Sequence, residues 1–364
     1  MKILVLGGTK FFGIPMIKAL LNYGHDVTIA TRKNQPIPFE TKVQHIKIDR
    51  QNPEDLKRLF ANTHYDLVID KIAYSSNDIK KLLDVISCDR YMLMSSTAVY
   101  EYVDHFDPYH DTFKYVNRYE DEYRVTKRFA ECSLAQDYPH IPSVVVRYPF
   151  VVGIDDYTRR IQFYIEHILN EEPMYIDNLD TPLSFIDSEE AGEFMAYLAN
   201  ENITGIFDGA SLGTITPKEI IQIIERLTHK KAILSNTGDS APYNNTPKFT
   251  INTQPAQELG YYFSDLSDWF ESLIKQLLIT KTQNRYQINH EQYIHFSILH
   301  NIPCIDEIKG DNFILLLDAL SEDYQSYSII VEANQPLLQT LLQCNHKIVG
   351  GYTINHSYYH ILTK

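Results

Sequence analysis

Tyr123 and Lys127 stand four residues apart in Tyr123-Arg124-Val125-Thr126-Lys127. On a helix that spacing puts both side chains on one face. A tyrosine with an unperturbed pKa of about 10 is a poor base at neutral pH. A neighbouring ammonium favours the phenolate and lowers that value. The pair therefore suits proton exchange with a substrate oxygen. In a chain with 26 tyrosines the alternative is a surface Tyr above a surface Lys. Ser95-Ser96-Thr97-Ala98-Val99-Tyr100 follows an apolar strand. A hydroxyl there, from Ser96 with Thr97 beside it, can hydrogen-bond the reacting oxygen; the plainer reading is Ser and Thr at a strand end.

A second set of residues suits anion binding. Gly7-Gly8-Thr9-Lys10-Phe11-Phe12-Gly13 follows the apolar run Ile3–Leu6 and opens a helical pattern. A glycine-rich turn in that setting aims backbone N–H groups and a helix dipole at a phosphate. The expected ligand is a dinucleotide pyrophosphate, held by Gly7, Thr9, Lys10, Phe11, Phe12 and Gly13. At the end of the second strand a carboxylate would bond the ribose 2′-hydroxyl of NAD. This chain has Thr31-Arg32-Lys33 instead. Arg32, with Lys10 nearby, suits a 2′-phosphate, so NADP is the expected cofactor and NAD the alternative.

The elements that must position these groups are legible as period and punctuation. Ile3–Leu6, Val27–Ala30, Ile46–Ile48, Leu67–Ile69, Tyr91–Met94 and Val144–Val146 read as buried strands. Helices are expected after Gly13, after Asn52-Pro53 and from about Arg118 to Gln136. Apolar strands separated by helices predict an α/β Rossmann fold, a doubly wound parallel sheet with ligands at the strand C-termini. Beyond Arg147, helices are expected near Ile161–Leu169, Glu189–Ala199, Pro217–Leu227 and Leu266–Leu277, as in a smaller substrate-binding lobe. Ser235–Pro247 reads as a surface loop. The final region is expected to be an extra α+β module, with strands at Phe313–Leu317, Ser328–Val331 and Ile348–Ile354 and a helix at Leu337–Leu342. The expected division is a cofactor domain over 1–165, with 203–250 returning to it, a lobe over 166–279, and the module over 280–364.

The formal net charge of −14 opposes nucleic-acid binding in bulk. No charged and apolar leader precedes Lys2, and no apolar run reaches membrane-spanning length, so neither a signal peptide nor a membrane contact is expected. Cys88, Cys132, Cys304 and Cys344 form no CxxC pair and read as reduced thiols of a cytoplasmic protein. Asp104–Asp111 holds metal-type ligands, but exposed acidic loops are usually solvated, and no metal is expected. Tyr115, Tyr119 and Tyr123 have helical spacing, which makes packing a reading for two of them. Tyr352–His360 reads as one strand whose histidines are structural.

Taken together, these motifs resemble those of the extended short-chain dehydrogenase/reductases, the NAD(P)-dependent epimerase/dehydratase group. The resemblance spans residues 1 to about 278. It rests on Gly7–Gly13, Ser95–Tyr100, Tyr123 and Lys127 with Glu131 one turn on, and Arg147-x-Pro149 with Gly153. Within the group the chain looks most like the branch of the chloroplast stem-loop RNA-binding proteins. The cues are Lys10 inside the glycine loop, Ile48-Asp49-Arg50, Asp70 with Ala73-Tyr74, and Gly153–Arg160 with Asp156 and Thr158.

The resemblance implies roles. Tyr123 would be the acid/base, and Lys127 would hold the nicotinamide ribose and tune Tyr123. Ser96 would hold the substrate oxygen. Asp49 would approach the adenine, Ala73 the cofactor ribose, and Arg160 an anionic part of the substrate. Lys10 replaces the usual middle glycine, and Ile154 the usual Pro. The Asp-Glu pair of sugar dehydratases is missing after the fifth strand, which argues against dehydration. The implied activity is an oxidoreductase or epimerase acting on a small sugar or nucleotide-sugar, with a homodimer allowed for. The alternative is a dinucleotide-sensing or RNA-binding protein on the same fold.

Overall fold

The computed structural model describes residues 1–32, 39, 43–248, 251–282, 285–299, 302–324, 327–332, 336–343, 346–354 and 357–363. Lys33, Cys344, Asn355 and His356 lie outside the described residues. Two compact units are present: residues 1–159, 178–217 and 245–269, and residues 160–177, 218–244 and 270–364. The segment 166–279, expected to be one lobe, is divided between them.

In chain order the first unit begins with β1 (Lys2–Leu6), α1 (Gly13–Asn22), β2 (Asp26–Thr31), β3 (Gln44–Lys47) and α2 (Pro53–Phe60). It continues with β4 (His64–Asp70), α3 (Ser76–Leu83), β5 (Ser87–Ser96), α4 (Tyr123–Asp137), β6 (Ser143–Tyr148) and β7 (Phe150–Val152). α5 (Arg160–Asn170) and β8 (Pro173–Tyr175) belong to the second unit. The first resumes with β9 (Phe185–Asp187), α6 (Ser188–Asn200) and β10 (Gly205–Asp208). α7 (Pro217–Thr228), β11 (Ile233–Leu234) and β12 (Asp239–Ser240) lead into the second, and α8 (Gln254–Glu258) into the first. α9 (Leu266–Leu278) carries the chain across the boundary. The second unit ends with β13 (Thr280–Thr282), β14 (Arg285–Asn289), β15 (Gln292–Leu299), β16 (Ile302–Lys309), α10 (Phe313–Asp323), β17 (Ser328–Glu332), α11 (Pro336–Gln343), β18 (Lys347–Ile354) and β19 (Ser357–Thr363).

The first unit is the doubly wound α/β fold that the strand pattern predicts. Its seven-stranded sheet has the order β10-β6-β5-β4-β1-β2-β3, every pair parallel. Successive residues of a strand face opposite sides. Ile3 and Val5 accordingly join one apolar layer with Ile17, Leu20 and Phe194, and Leu4 and Leu6 join the other with Phe60, Leu82 and Leu134. The strand order reverses between β1 and β4, which opens a crevice at their C-terminal ends. Helix starts follow local capping chemistry. Asn52 accepts the Glu54 N–H (3.1 Å) ahead of Pro53, and Ser75 accepts the Asp78 N–H (3.3 Å).

α4 starts five residues later than expected. Tyr119 has φ +76°, and the Glu120 carboxylate accepts the Asn117 N–H (2.7 Å), which makes a turn where a helix was expected. Tyr115 and Tyr119 thus precede the helix and are 50% and 83% exposed; Tyr115 makes an edge contact with Phe113 (5.4 Å).

The second unit contains a three-stranded parallel sheet, β11-β8-β12, and a seven-stranded sheet of order β13-β14-β15-β16-β17-β19-β18. In the larger sheet only β16–β17 is parallel, and α10 connects that pair. Three expectations are corrected here. Phe313–Leu317 is the first half of α10, not a strand: a short apolar run fits a buried helix as well as a strand. Its Leu316, Leu317 and Leu320 join Tyr286, Ile294 and Phe296 in the core. Tyr352–His360 is the end of β18 and the start of β19, two strands of a hairpin. The strands of Arg285–Lys309 carry no marked sequence signal, because polar residues alternate with Tyr, Ile and Phe. Within Ser235–Pro247, Ala241 and Tyr243 are buried, and Tyr243 stacks on Tyr164 at 5.9 Å.

Candidate functional site

The glycine loop lies at the C-terminal end of β1, on the crevice. Gly7 and Gly8 have φ of +93° and +98°, a region that favours glycine. A Cβ on Gly8 would come within 2.6 Å of Ile17, and one on Gly13 within 2.5 Å of the Gly8 Cα. The loop is therefore drawn tightly onto α1. Phe11 has φ +54° and is buried, in edge contact with Tyr157 (6.1 Å). Phe12 occupies the cap position of α1 and provides no side-chain cap; the Gly13 and Ile14 amides donate instead to the loop carbonyls of Lys10 (3.1 Å) and Phe11 (2.9 Å). Thr9 is half-buried and Lys10 exposed.

The other residues expected at a cofactor lie on strand ends. Arg32 is exposed directly after β2, and Asp49 is exposed after β3, where its carboxylate accepts the Gln51 N–H (3.0 Å). Asp70, the last residue of β4, is fully buried and committed to structure. It accepts hydrogen bonds from Arg50 (2.7 Å), the Tyr91 hydroxyl (2.8 Å) and the Ile72 N–H (3.0 Å). Ala73 is fully buried.

The groups suited to proton transfer come from β5 and α4. Ser96 ends β5; its Oγ accepts the Ala98 N–H (3.2 Å), capping a single 3₁₀ turn, and donates to the Tyr148 carbonyl (3.4 Å). Thr97 is buried and donates to the same carbonyl (3.4 Å). Tyr123 opens α4 and is about half exposed, with 48% of its surface open. Lys127, one turn on, is fully buried. Its Nζ donates to the carbonyls of Ala73 (2.7 Å) and Met94 (2.9 Å). The ammonium lies 5.9 Å from the centre of the Tyr123 ring and 4.9 Å from that of Tyr74. Burial pulls its pKa down to about 8, partly offset by Asp70 and Glu131.

Below these groups runs a buried polar chain. Glu131 accepts hydrogen bonds from Ser95 and from Arg147 Nε (3.1 Å), and Arg147 Nη1 donates to the Tyr100 hydroxyl (2.6 Å). Tyr100 in turn donates to Asp208 (2.9 Å), whose carboxyl is pushed up to about 6 by burial. Asp208 ends β10 and had no sequence signal as a site residue. Lys71, which directly follows the buried Asp70 at the crevice, likewise carries no sequence signal.

Arg160, the expected substrate contact, opens α5 in the second unit. In the loop that carried metal-type residues, His110 pairs with Asp107 (2.7 Å). Among the described residues a three-ligand grouping occurs elsewhere, at His64, Asp66 and Asp89, near the starts of β4 and β5. Cys88 and Cys132 are free thiols. A cavity of about 310 Å³ in the second unit, bordered by Lys275, Lys281, Asp318 and Glu322, involves none of the residues singled out above. No helix among the described residues is long and apolar enough to cross a membrane.

The chain is 29% identical over 113 residues to a chloroplast stem-loop binding protein of 41 kDa from Arabidopsis thaliana, covering 27% of this chain and 30% of that one. It is 29% identical over 99 residues to 2′-dehydrokanamycin reductase from Streptomyces kanamyceticus, covering 27% and 28%. The chain thus spans about three-tenths of the length of these curated relatives. Among solved structures, it is similar to UDP-glucose 4-epimerase of Thermus thermophilus in complex with NAD. The TM-score is 0.58 at 16% identity, with coverage of 76% and 99%. UDP-glucuronic acid 4-epimerase of Bacillus cereus, in complex with UDP-glucuronic acid and NAD, gives 0.57 at 22% identity, with coverage of 76% and 99%. At these identities the likeness is one of fold. The model of the NAD dependent epimerase/dehydratase family matches residues 3–207, more than half of the sequence, and the chain belongs to that NAD(P)-dependent enzyme family.

Proposed function

We propose that the protein is an NADP(H)-dependent oxidoreductase or epimerase acting at a hydroxyl or carbonyl carbon of a sugar or nucleotide-sugar. One observation carries this reading: a half-exposed Tyr123 phenol on α4 beside a Lys127 ammonium pinned by two carbonyls, in the unit whose β5 bears Ser96 at its C-terminal end. The tight Gly7–Gly13 turn and the start of α1, which no side chain caps, fit a pyrophosphate held by loop backbone N–H groups and the helix dipole, with Thr9 and Lys10 alongside. Arg32 and Lys10, both exposed, suit a 2′-phosphate. When bound, the nicotinamide accepts or returns a hydride at the substrate carbon. Tyr123 takes the hydroxyl proton in the oxidative direction and gives it back in reduction. Ser96 Oγ orients the substrate oxygen toward Tyr123, and Lys127 holds positive charge where the phenolate forms. Asp49 and Ala73 are proposed contacts to adenine and cofactor ribose.

The test is Tyr123→Phe with a substrate of confirmed turnover. The expected loss in kcat is about 10²–10⁴-fold, with dinucleotide affinity kept; unchanged turnover removes Tyr123 from the mechanism. A second reading, RNA binding on this fold, is favoured by the likeness to the stem-loop binding protein and opposed by the charge of −14. A gel shift at low salt decides it, and no shift eliminates the RNA reading.

A further inference from the structure

Lys71 stands at the mouth of the crevice. It directly follows β4, and its N–H donates to the Leu6 carbonyl (3.2 Å), which sets it beside the glycine loop. A Cβ placed on Gly7 would lie 3.6 Å from the Lys71 Cβ. The ammonium sits 3.4 Å from the centre of the Phe12 ring, the residue that immediately precedes α1. Among the described residues no carboxylate or carbonyl partners this ammonium, and burial alone pulls its pKa down to about 7.

The charged groups around it are occupied or of the same sign. Asp70 is bound by Arg50, Tyr91 and the Ile72 amide. Lys127, from α4, is bound by the carbonyls of Ala73 and Met94. Lys10 on the glycine loop is exposed, and the first turn of α1 holds no acidic residue. A half-buried ammonium held on an aromatic face gains some cation–π attraction but still lacks the counter-ion that would offset its desolvation. Next to it, α1 begins with no capping side chain, its first amides bonded to the loop carbonyls of Lys10 and Phe11, so the positive end of its dipole is not offset by a carboxylate of its first turn. The Lys71 ammonium and the positive end of the α1 dipole thus lie side by side, and among the described residues no carboxylate pairs with Lys71.

We propose that Lys71 binds the dinucleotide pyrophosphate opposite the start of α1 and takes up a proton as it does so. This rests on the dinucleotide reading above and adds a residue and a pH dependence to it. The pyrophosphate charge raises the proton affinity of Lys71 in the complex, so free protein above neutral pH must bind a proton along with the cofactor. Below pH 6 the lysine is already charged and the linkage vanishes.

Calorimetric titration of the full chain with NAD⁺, in buffers of different ionisation heat at pH 6, 7 and 8, tests this. The pyrophosphate of NAD⁺ has no titration of its own in that range. Proton uptake is expected to rise from near zero at pH 6 to nearly one at pH 8, with affinity falling about tenfold across that range. Lys71→Arg, which keeps a charge that does not titrate, is expected to abolish both the uptake and the slope while retaining affinity at pH 8. Lys71→Met is expected to bind weakly at every pH; thermal unfolding of both variants confirms the fold. Wild-type binding that is flat with pH and free of proton uptake overturns the role of Lys71 and leaves the cofactor reading standing. Uptake with NADP⁺ but not NAD⁺ overturns the pyrophosphate assignment in favour of the 2′-phosphate. Failure of the wild type to bind either dinucleotide sinks the cofactor reading, and this inference with it.

Discussion

Lys127 ends on two backbone carbonyls, those of Ala73 and Met94, so its ammonium stays fixed whatever the Tyr123 phenol does. Replacing it removes more than a charge. Lys127→Met leaves two buried acceptors without a donor, a cost of about 1–3 kcal/mol for each group left unsatisfied. It is therefore expected to lower both kcat and the denaturation midpoint, whereas Tyr123→Phe lowers only kcat; urea titration beside steady-state kinetics separates the two. Arg32 is a different kind of residue, exposed and away from any buried network. Arg32→Ala is expected to lose about 1.5–3 kcal/mol of NADPH affinity, as for hydrogen bonds to a charged group, with NADH affinity unchanged. Tighter NADH binding that ignores the substitution would remove the NADP preference. At this scale residue types and spacing exposed Tyr123, Lys127 and Ser96, because a four-residue interval on a helix is a local property. Lys71 and Asp208 left no such trace. Each matters because of what β4 and β10 bring beside it, and a lone Lys or Asp after an apolar strand looks like any surface charge.

Elements set how tightly the glycine loop is held. α1 packs on α6 through Gly192, where an added Cβ would lie 2.6 Å from both the Met16 N and the Phe12 carbonyl oxygen. That contact fixes the start of α1, and with it the end of the glycine loop whose carbonyls its first amides bond. Gly192→Ala is expected to cost about 1–3 kcal/mol by overpacking and to weaken dinucleotide binding as α1 shifts. Denaturant unfolding and calorimetric titration on the same sample check both effects; unchanged stability would mean α6 yields freely. Element type was legible wherever period and punctuation agreed, as for Asn52-Pro53 opening α2. It was illegible where they conflicted. Phe313–Leu317 has five apolar residues in a row, and only the later turns of α10 show the helix. Tyr119 at φ +76° delays α4, and nothing in Arg118–Glu122 by itself requires a positive φ there.

At the scale of the whole molecule, the chain visits each of its two units more than once. The second unit builds a core in which Leu169 and Ile279 pack with Tyr286, Phe296, Leu317 and Tyr327. Ending the chain after Thr282 is expected to expose Leu169 and Ile279 and to raise binding of an apolar dye such as ANS. Native-like dye binding by the shortened chain would mean the remaining segments hold together without that core. The sequence alone determined the features that repeat at short range: the apolar strands of the parallel sheet, the strand–glycine–helix turn, and the Tyr123–Lys127 interval. These rest on local sterics and on a period of two or 3.6 residues, which a linear reading preserves. Only the tertiary structure decided which charges find partners. Asp70 is consumed by Arg50 and Tyr91, Lys127 by two carbonyls, and Lys71 is left on the face of the Phe12 ring. Burial and pairing depend on groups from distant parts of the chain, and a list of residues in order carries no record of that proximity.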